Sequence, residues 1–388
     1  MPQSSSGERR GNPTCVTIDL DAIRHNLNVI RELAGEAQGV IAVVKADAYG
    51  LGAVPIATAL AAERVEYLAV ARASEAVELR DAGITIPILV LGMLGKDEIA
   101  AALAHDLAVT LVSLSFAERL HKVAMDAQRV IKVHCNIDTG MGRLGLDPDT
   151  AADQLSQLVR FSTIDIEGVY THLVQAHLPR DQFTQSQLKR FRSTLRQIDK
   201  IGIPYEMTHV ANSAGILNYP EAQFDVVRPG ILLYGVMPEA GMDRPPGLRD
   251  VVRFESGVVF LRHVAAGTPL GYERTYVTSA PTTVATVPVG YADGVPYALS
   301  NKGVVLVRGR RCRILGTVTM DHIMVDVSGV PEVAVNDVVT IVGTDGDETV
   351  SIEQIASAAG LVPHAVLTGL SQRLPHVYLG KTRPDGEA

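Results

Sequence analysis

Apolar and polar positions follow one rhythm in the first part of this chain and another in the last. Between residue 15 and about residue 235, short apolar runs alternate with longer segments whose apolar positions recur every three to four residues. Eight runs, at 41–44, 67–70, 87–91, 108–112, 131–136, 166–170, 207–210 and 226–227, read as strands buried on both faces. Segments between them, such as 21–33 and 185–198, read as amphipathic helices, with Asp181 and Thr184 as capping candidates for the second. Eight strands separated by helices, over a length near the usual ~250 residues, predict a (β/α)8 TIM-like barrel.

After residue 238 the texture changes. Runs at 257–261, 282–289, 304–307, 313–318, 323–327 and 338–342 are short, β-branched and punctuated by Gly, Pro and Asp, which predicts a C-terminal mainly β domain with one late helix at 352–359. The Pro- and Gly-rich stretch 238–247 marks the boundary. The expected organisation is therefore a tail at 1–14, a barrel at 15–240 and a β-rich domain at 241–388.

Bulk composition narrows the function classes. With 388 residues, 47% hydrophobic and 20% charged, the chain is globular and long enough for two domains. A net charge of -8 without a long basic run argues against nucleic acid and anionic membranes as partners. Cys15, Cys135 and Cys312 are too scattered for a disulfide framework or a metal knuckle, so they read as reduced thiols, with no metal expected. The first fourteen residues lack an apolar signal core, and no apolar span reaches membrane length, which points to a cytoplasmic enzyme acting on a small molecule.

The residue that carries most chemistry is Lys45. It follows the apolar run Val40-Ile41-Ala42-Val43-Val44 and precedes Ala46-Asp47-Ala48-Tyr49-Gly50-Leu51-Gly52, so it emerges at a strand end where α/β enzymes keep their active groups. An amine partly withdrawn from water has a lowered pKa and can form a Schiff base; the alternative reading of the lysine alone is a side chain snorkelling at a strand end. The seventh and eighth strands run into His209-Val210-Ala211-Asn212-Ser213-Ala214-Gly215 and Arg228-Pro229-Gly230-Ile231, two loops suited to a phosphate. Arg228 would remain protonated beside a cofactor ring and weaken that ring as an electron sink. The run from Asp138 to Gly145 contains a literal GxGxxG, but the next capping signal, Asp147-Pro148-Asp149, lies beyond the last glycine, which argues against a dinucleotide loop. In the β-rich domain, sequence physics offers no reason to choose Tyr272 over Tyr276.

These motifs resemble the alanine racemases over nearly the whole chain, from about residue 15 to residue 378. The resemblance implies pyridoxal 5'-phosphate (PLP) on Lys45, with Tyr49, Asn212, Ser213, Gly230 and Ile231 around its phosphate, His172 near the ring, and Arg228 at the pyridine nitrogen backed by His209. It implies Tyr272 as the second base, Arg143 and Met320 at the substrate, Tyr291 at the entrance, and a homodimer in which the β-rich domain of one subunit closes the barrel of the other. Racemisation of L- and D-alanine, supplying D-alanine for peptidoglycan, is the implied activity. Asn136 stands where many members carry a lysine that becomes carbamylated; Thr319, Leu51, Gln372 and Glu273 are further departures from common family residues. Serine or broad-specificity racemisation is therefore an alternative, followed by a PLP amino-acid decarboxylase of the same architecture. A non-catalytic PLP carrier and an NAD oxidoreductase are remoter rivals.

Overall fold

The computed structural model describes residues 14–35 and 39–380. All of the expected N-terminal tail except Thr14, and residues 381–388 of the expected second domain, lie outside the described residues.

Eight parallel strands close a barrel: Gly39–Val43, Tyr67–Val70, Ile88–Val90, Ala108–Leu111, Ile131–Asn136, Ile164–Tyr170, Met207–Asn212 and Val226–Arg228. Closure is made by Gly39 and Val40 pairing with Val226 and Val227. Most residues in these strands are buried on both faces, because neighbouring side chains fill the barrel interior while the surrounding helices cover its outside. The helix Gln182–Lys200 shows how local sequence sets an element: Leu188, Phe191, Leu195 and Ile198 form its buried stripe. Asp181 caps it by accepting from Thr184 N at 2.7 Å. Thr184 lies inside the first turn and donates its hydroxyl to the Asp181 carboxylate at 2.9 Å, so it supports the cap and is not one itself.

The mainly β part is built on a ten-stranded sheet. Its path runs Phe260–Val264, Thr282–Val287, Ile323–Asp326, Arg310–Leu315, Val304–Val307, Val338–Asp345, Val252–Gly257, Cys15–Asp19 and His376–Leu379, with Glu348–Val350 paired to Val338–Asp345. Three expectations are corrected. The run at 257–261 is not one strand: it straddles the end of Val252–Gly257 and the start of Phe260–Val264. The late helix Ile352–Ala359 is followed by a second, Pro363–Thr368, too short for a periodic signal. Cys15–Asp19 does not belong to the barrel: it pairs antiparallel with Val252–Gly257 and parallel with His376–Leu379.

The described residues accordingly divide into two compact units, one of residues 14–22 with 239–241 and 250–380, the other of residues 23–35 and 39–238 with Met242–Arg249. Among the described residues, no helix is long and apolar enough to cross a membrane.

Candidate active site

In the barrel unit the first strand ends at Val43, and Val44 N donates to Ala69 O at 2.8 Å before Lys45 begins a turn. Ala46, Asp47, Ala48 and Tyr49 then take φ of 53°, 54°, 50° and 60°, one turn of left-handed helix where the sequence suggests only a Gly-bearing loop. Each such residue costs about 1–2 kcal/mol, so the turn has to be held from outside. Glu75 does much of this: one carboxylate oxygen accepts from Ala46 N at 2.6 Å, the other from Ala71 N at 2.7 Å and Arg72 N at 2.9 Å. The Asp47 carboxylate accepts from Ala53 N at 2.6 Å, and Tyr49 packs on Tyr234 with ring centroids 4.9 Å apart.

The turn delivers the Tyr49 hydroxyl to Gly230, where any Cβ would collide with it. Ser213, at the start of a short helix after the seventh barrel strand, accepts from Gly230 N at 2.9 Å and Leu232 N at 3.4 Å. Asn212 caps that helix by accepting from Gly215 N at 2.9 Å. Tyr49, Ser213, Gly230 and Ile231 thus gather around one small cradle, with Ile231 opening the turn that follows Gly230. The Tyr49 and Ser213 hydroxyls, brought together on a glycine backbone that lets them approach closely, suit a phosphate group.

Electrostatics in this cluster favour neutral bases. Lys45 has its amine lowered by burial and then by the Arg143 charge, against an opposing pull from Glu75. His172 is held down to about 3 by burial and by the charges of Arg228, Arg143 and Lys45, so it is neutral at physiological pH. Arg228, only 3% exposed, is pulled down to about 10 by burial, below the value expected for a free guanidinium, yet it stays charged near neutrality. Its guanidinium donates to Thr171 O at 2.7 Å and Val210 O at 3.1 Å, and meets His209 Nδ1 at 2.6 Å.

Arg143 is exposed in the loop after the fifth barrel strand. Asn136 does not hold its side chain directly: the Asn136 amide donates to the carbonyl of the next residue, Leu144, at 2.9 Å. The glycines of the GxGxxG run all take positive φ, and the next helix opens only at Ala151. Sequence reasoning missed Gln187, whose amide donates to His172 O at 3.0 Å and Thr139 Oγ1 at 3.3 Å while its carbonyl accepts from Val174 N. A polar residue on the buried stripe of the helix was the available signal.

Tyr272, Tyr291 and Met320 belong to the other unit. There the two candidate tyrosines separate. Tyr276 pairs with Leu270 and packs against the apolar cluster of Val264, Leu270, Val284 and Leu315, whereas Tyr272 is 71% exposed. Gly271, at φ 75°, turns the chain into Tyr272, whose carbonyl accepts from Thr317 Oγ1 at 3.4 Å. Tyr291 and Met320 are neighbours through the backbone, with Tyr291 N donating to Thr319 O and Ala292 N to Met320 O. Arg373, which the sequence did not single out, braces this loop with 2.7 Å bonds to Asp293 and Asp321. Among the described residues, no three His, Cys, Asp or Glu side chains gather as a metal-ligand set.

Comparison with known proteins matches residues 18–238 to the family model "Alanine racemase, N-terminal domain" and residues 251–378 to "Alanine racemase, C-terminal domain". The alanine racemase of Desulforamulus reducens is 39% identical over 370 residues, covering 95% of this chain and 99% of its own. Among solved structures, the alanine racemase of the D-cycloserine producer Streptomyces lavendulae superposes with a TM-score of 0.92 at 33% identity, covering 96% of this chain and 98% of its own. An alanine racemase from Bartonella henselae with covalently bound pyridoxal phosphate superposes with a TM-score of 0.85 at 31% identity, covering 95% of this chain and 100% of its own.

Proposed function

The chain belongs to the alanine racemase family, and from that premise we propose that it interconverts L- and D-alanine with PLP carried on Lys45. The observation that carries the reading is the lysine whose amine is lowered by burial and by Arg143, beside a cradle of Tyr49, Ser213 and Gly230. That cradle fits a phosphate, and the buried Arg228 fits the unprotonated nitrogen of a pyridine ring. When bound, PLP supplies the electron sink that makes the substrate α-proton removable.

The chain's own groups then divide the work. Arg143 binds the substrate carboxylate, and its charge keeps Lys45 closer to the neutral form needed of a base. Lys45 takes or returns the α-proton on one face. Tyr272 serves the opposite face, contributed by the second subunit of a cytoplasmic homodimer. Met320 and Tyr291 would line the substrate entrance, and His172, held neutral, would stand beside the ring without adding charge. The proposed D-alanine product would feed peptidoglycan.

Asn136 favours a second reading of substrate breadth, because a side-chain amide cannot take up carbon dioxide as a lysine does. The test is chiral analysis of L-alanine, L-serine and a wider panel incubated with the protein and PLP. D-Alanine formation supports the proposal, comparable D-serine formation supports the broad-specificity alternative, and carbon dioxide release without D-isomer rejects racemisation in favour of decarboxylation. Borohydride reduction followed by peptide mapping should place the pyridoxyl group on Lys45. A label on Lys132 or Lys189 would reject that assignment.

A further inference from the structure

Behind Arg228 runs a row of buried polar groups of which only the first, His209, has been given a part, and beyond it the proposed reaction leaves them without a role. Arg228 Nη1 lies 2.6 Å from His209 Nδ1, His209 Nε2 lies 2.8 Å from His134 Nδ1, and His134 Nε2 lies 3.3 Å from Glu167 Oε2. Both imidazoles are fully buried, and Glu167 is 3% exposed. Glu167 also accepts from Tyr67 and, at 2.7 Å, from the half-exposed Lys132. The rings are fixed in place: His209 stacks on Tyr170 at 4.6 Å and 10°, and a Cβ at Gly168 would collide with His134.

The two ends of this row dictate its direction. A guanidinium can only donate, so His209 Nδ1 must accept and the His209 proton sits on Nε2. That proton is donated to His134 Nδ1, which leaves the His134 proton on Nε2, facing the carboxylate. An ionised carboxylate can only accept, so the far end demands the same order. Protonating either imidazole would set two N–H groups against each other. Burial lowers both histidines, with Arg228 acting the same way, while hydrogen bonds from His134, Lys132 and Tyr67 overcome the burial of Glu167 and hold it at about 2. The contact between His134 and Glu167 is therefore a hydrogen bond from a neutral ring, not an ion pair.

We propose that Glu167 is a positioning residue for Arg228: by accepting from His134 it fixes the tautomers of both histidines, so that His209 offers Arg228 a lone pair and holds the guanidinium in one orientation at the proposed ring site. The link to catalysis rests on the proposed function; the tautomer order does not. With the acceptor gone only Arg228 opposes reversal, and a turn of its guanidinium away from His209 Nδ1 lets the row reverse, so that an N–H of His209 faces the arginine site.

The test is ring-15N NMR of the histidine-labelled full chain with PLP added, the two resonances assigned by single substitution. Both rings should carry their proton on Nε2 and none on Nδ1 between pH 6 and 8. Glu167→Leu should mix the tautomers and lower kcat for alanine about ten- to hundredfold, the worth of one hydrogen bond to a charged group, with little change in KM. Glu167→Gln, which keeps an acceptor oxygen, should retain the order and most of kcat. If the leucine variant does not fold, His134→Phe breaks the same link and should free the His209 tautomer. A wild-type ring protonated on Nδ1, or a folded Glu167→Leu or His134→Phe protein with the His209 tautomer unchanged, overturns the proposal. Correct tautomers in a protein that racemises no amino acid support the row and reject the activity.

Discussion

The hydroxyl of Tyr49 occupies the position into which a side chain at residue 230 would grow, so the two residues exclude each other unless position 230 is glycine. Gly230 also donates its N–H to Ser213, which ties the cradle together from the eighth strand to the seventh. Gly230→Ala should displace Tyr49 and raise the dissociation constant for PLP by at least about tenfold, the equivalent of one lost hydrogen bond. Equilibrium dialysis against PLP measures it. Unchanged affinity would show that the cradle does not hold the cofactor.

Glu75 braces the turn that begins at Lys45. Removing it leaves Ala46 N without its acceptor in a left-handed turn, which should cost about 1.5–3 kcal/mol in denaturant unfolding. The Glu75 charge also raises the Lys45 amine against the pull of burial and Arg143. Glu75→Ala should therefore move the pH profile of PLP capture by Lys45 toward lower pH. A profile that moved upward would contradict this account.

Glu273 takes φ 57° and ψ 4° beside Tyr272, a conformation in which glycine is at ease and glutamate is strained by about 1 kcal/mol. Glu273→Gly relieves that strain but loosens the unfolded chain, so thermal stability should change by less than about 1 kcal/mol. Glu273→Val should destabilise by more than about 1 kcal/mol, because a β-branched residue fits the left-handed region worst. Equal melting temperatures for the two variants would refute the strain.

Acid should lower the stability of the folded protein over two pH windows. His134, His172 and His209 all have lowered folded-state pKa values, with burial the leading cause. The unfolded chain binds protons at the ordinary value of 6.5 while the folded chain does not, so stability must fall as pH drops below about 6.5. Glu167 adds the second window, since stability from a carboxylate held at about 2 is present above its ordinary 4.5 and is lost as pH falls through that interval. Denaturant midpoints between pH 7.5 and 5.5 check the first window. A flat profile there would contradict it.

If the proposed dimer shares its sites, inactive Lys45→Ala and Tyr272→Phe proteins should rescue each other. A mixed dimer concentrates both lesions in one site and leaves the other whole. Random reassortment makes half the dimers mixed, so activity should return to roughly a quarter of wild type in a closed two-fold assembly. No recovery, after subunit exchange is verified with tagged chains, would reject a site shared across subunits.

Much of the architecture was legible in local pattern. Both-face burial makes barrel strands such as Tyr67–Val70 and Ile88–Val90 continuous apolar runs, and alternation with periodic helices is enough to predict eight of them around a barrel. Lys45, Ser213, Gly230 and Arg228 were visible as candidates because each stands at a strand end or in the loop after it. What remained hidden depends on partners distant in sequence. Cys15–Asp19 adjoins the barrel sequence yet pairs with strands more than two hundred residues away, and nothing in five residues records which sheet they will join. The left-handed turn at Ala46–Asp47–Ala48–Tyr49 opposes the intrinsic preference of those residues, and it exists because Glu75 accepts from its first N–H and Tyr234 packs on its last ring. Exposure, which periodicity does not encode, separated Tyr272 from Tyr276. His134 and Glu167, polar residues whose pairing no local pattern records, meet only because neighbouring barrel strands bring residues 33 positions apart to hydrogen-bonding distance, where a low dielectric makes an unpaired group costly.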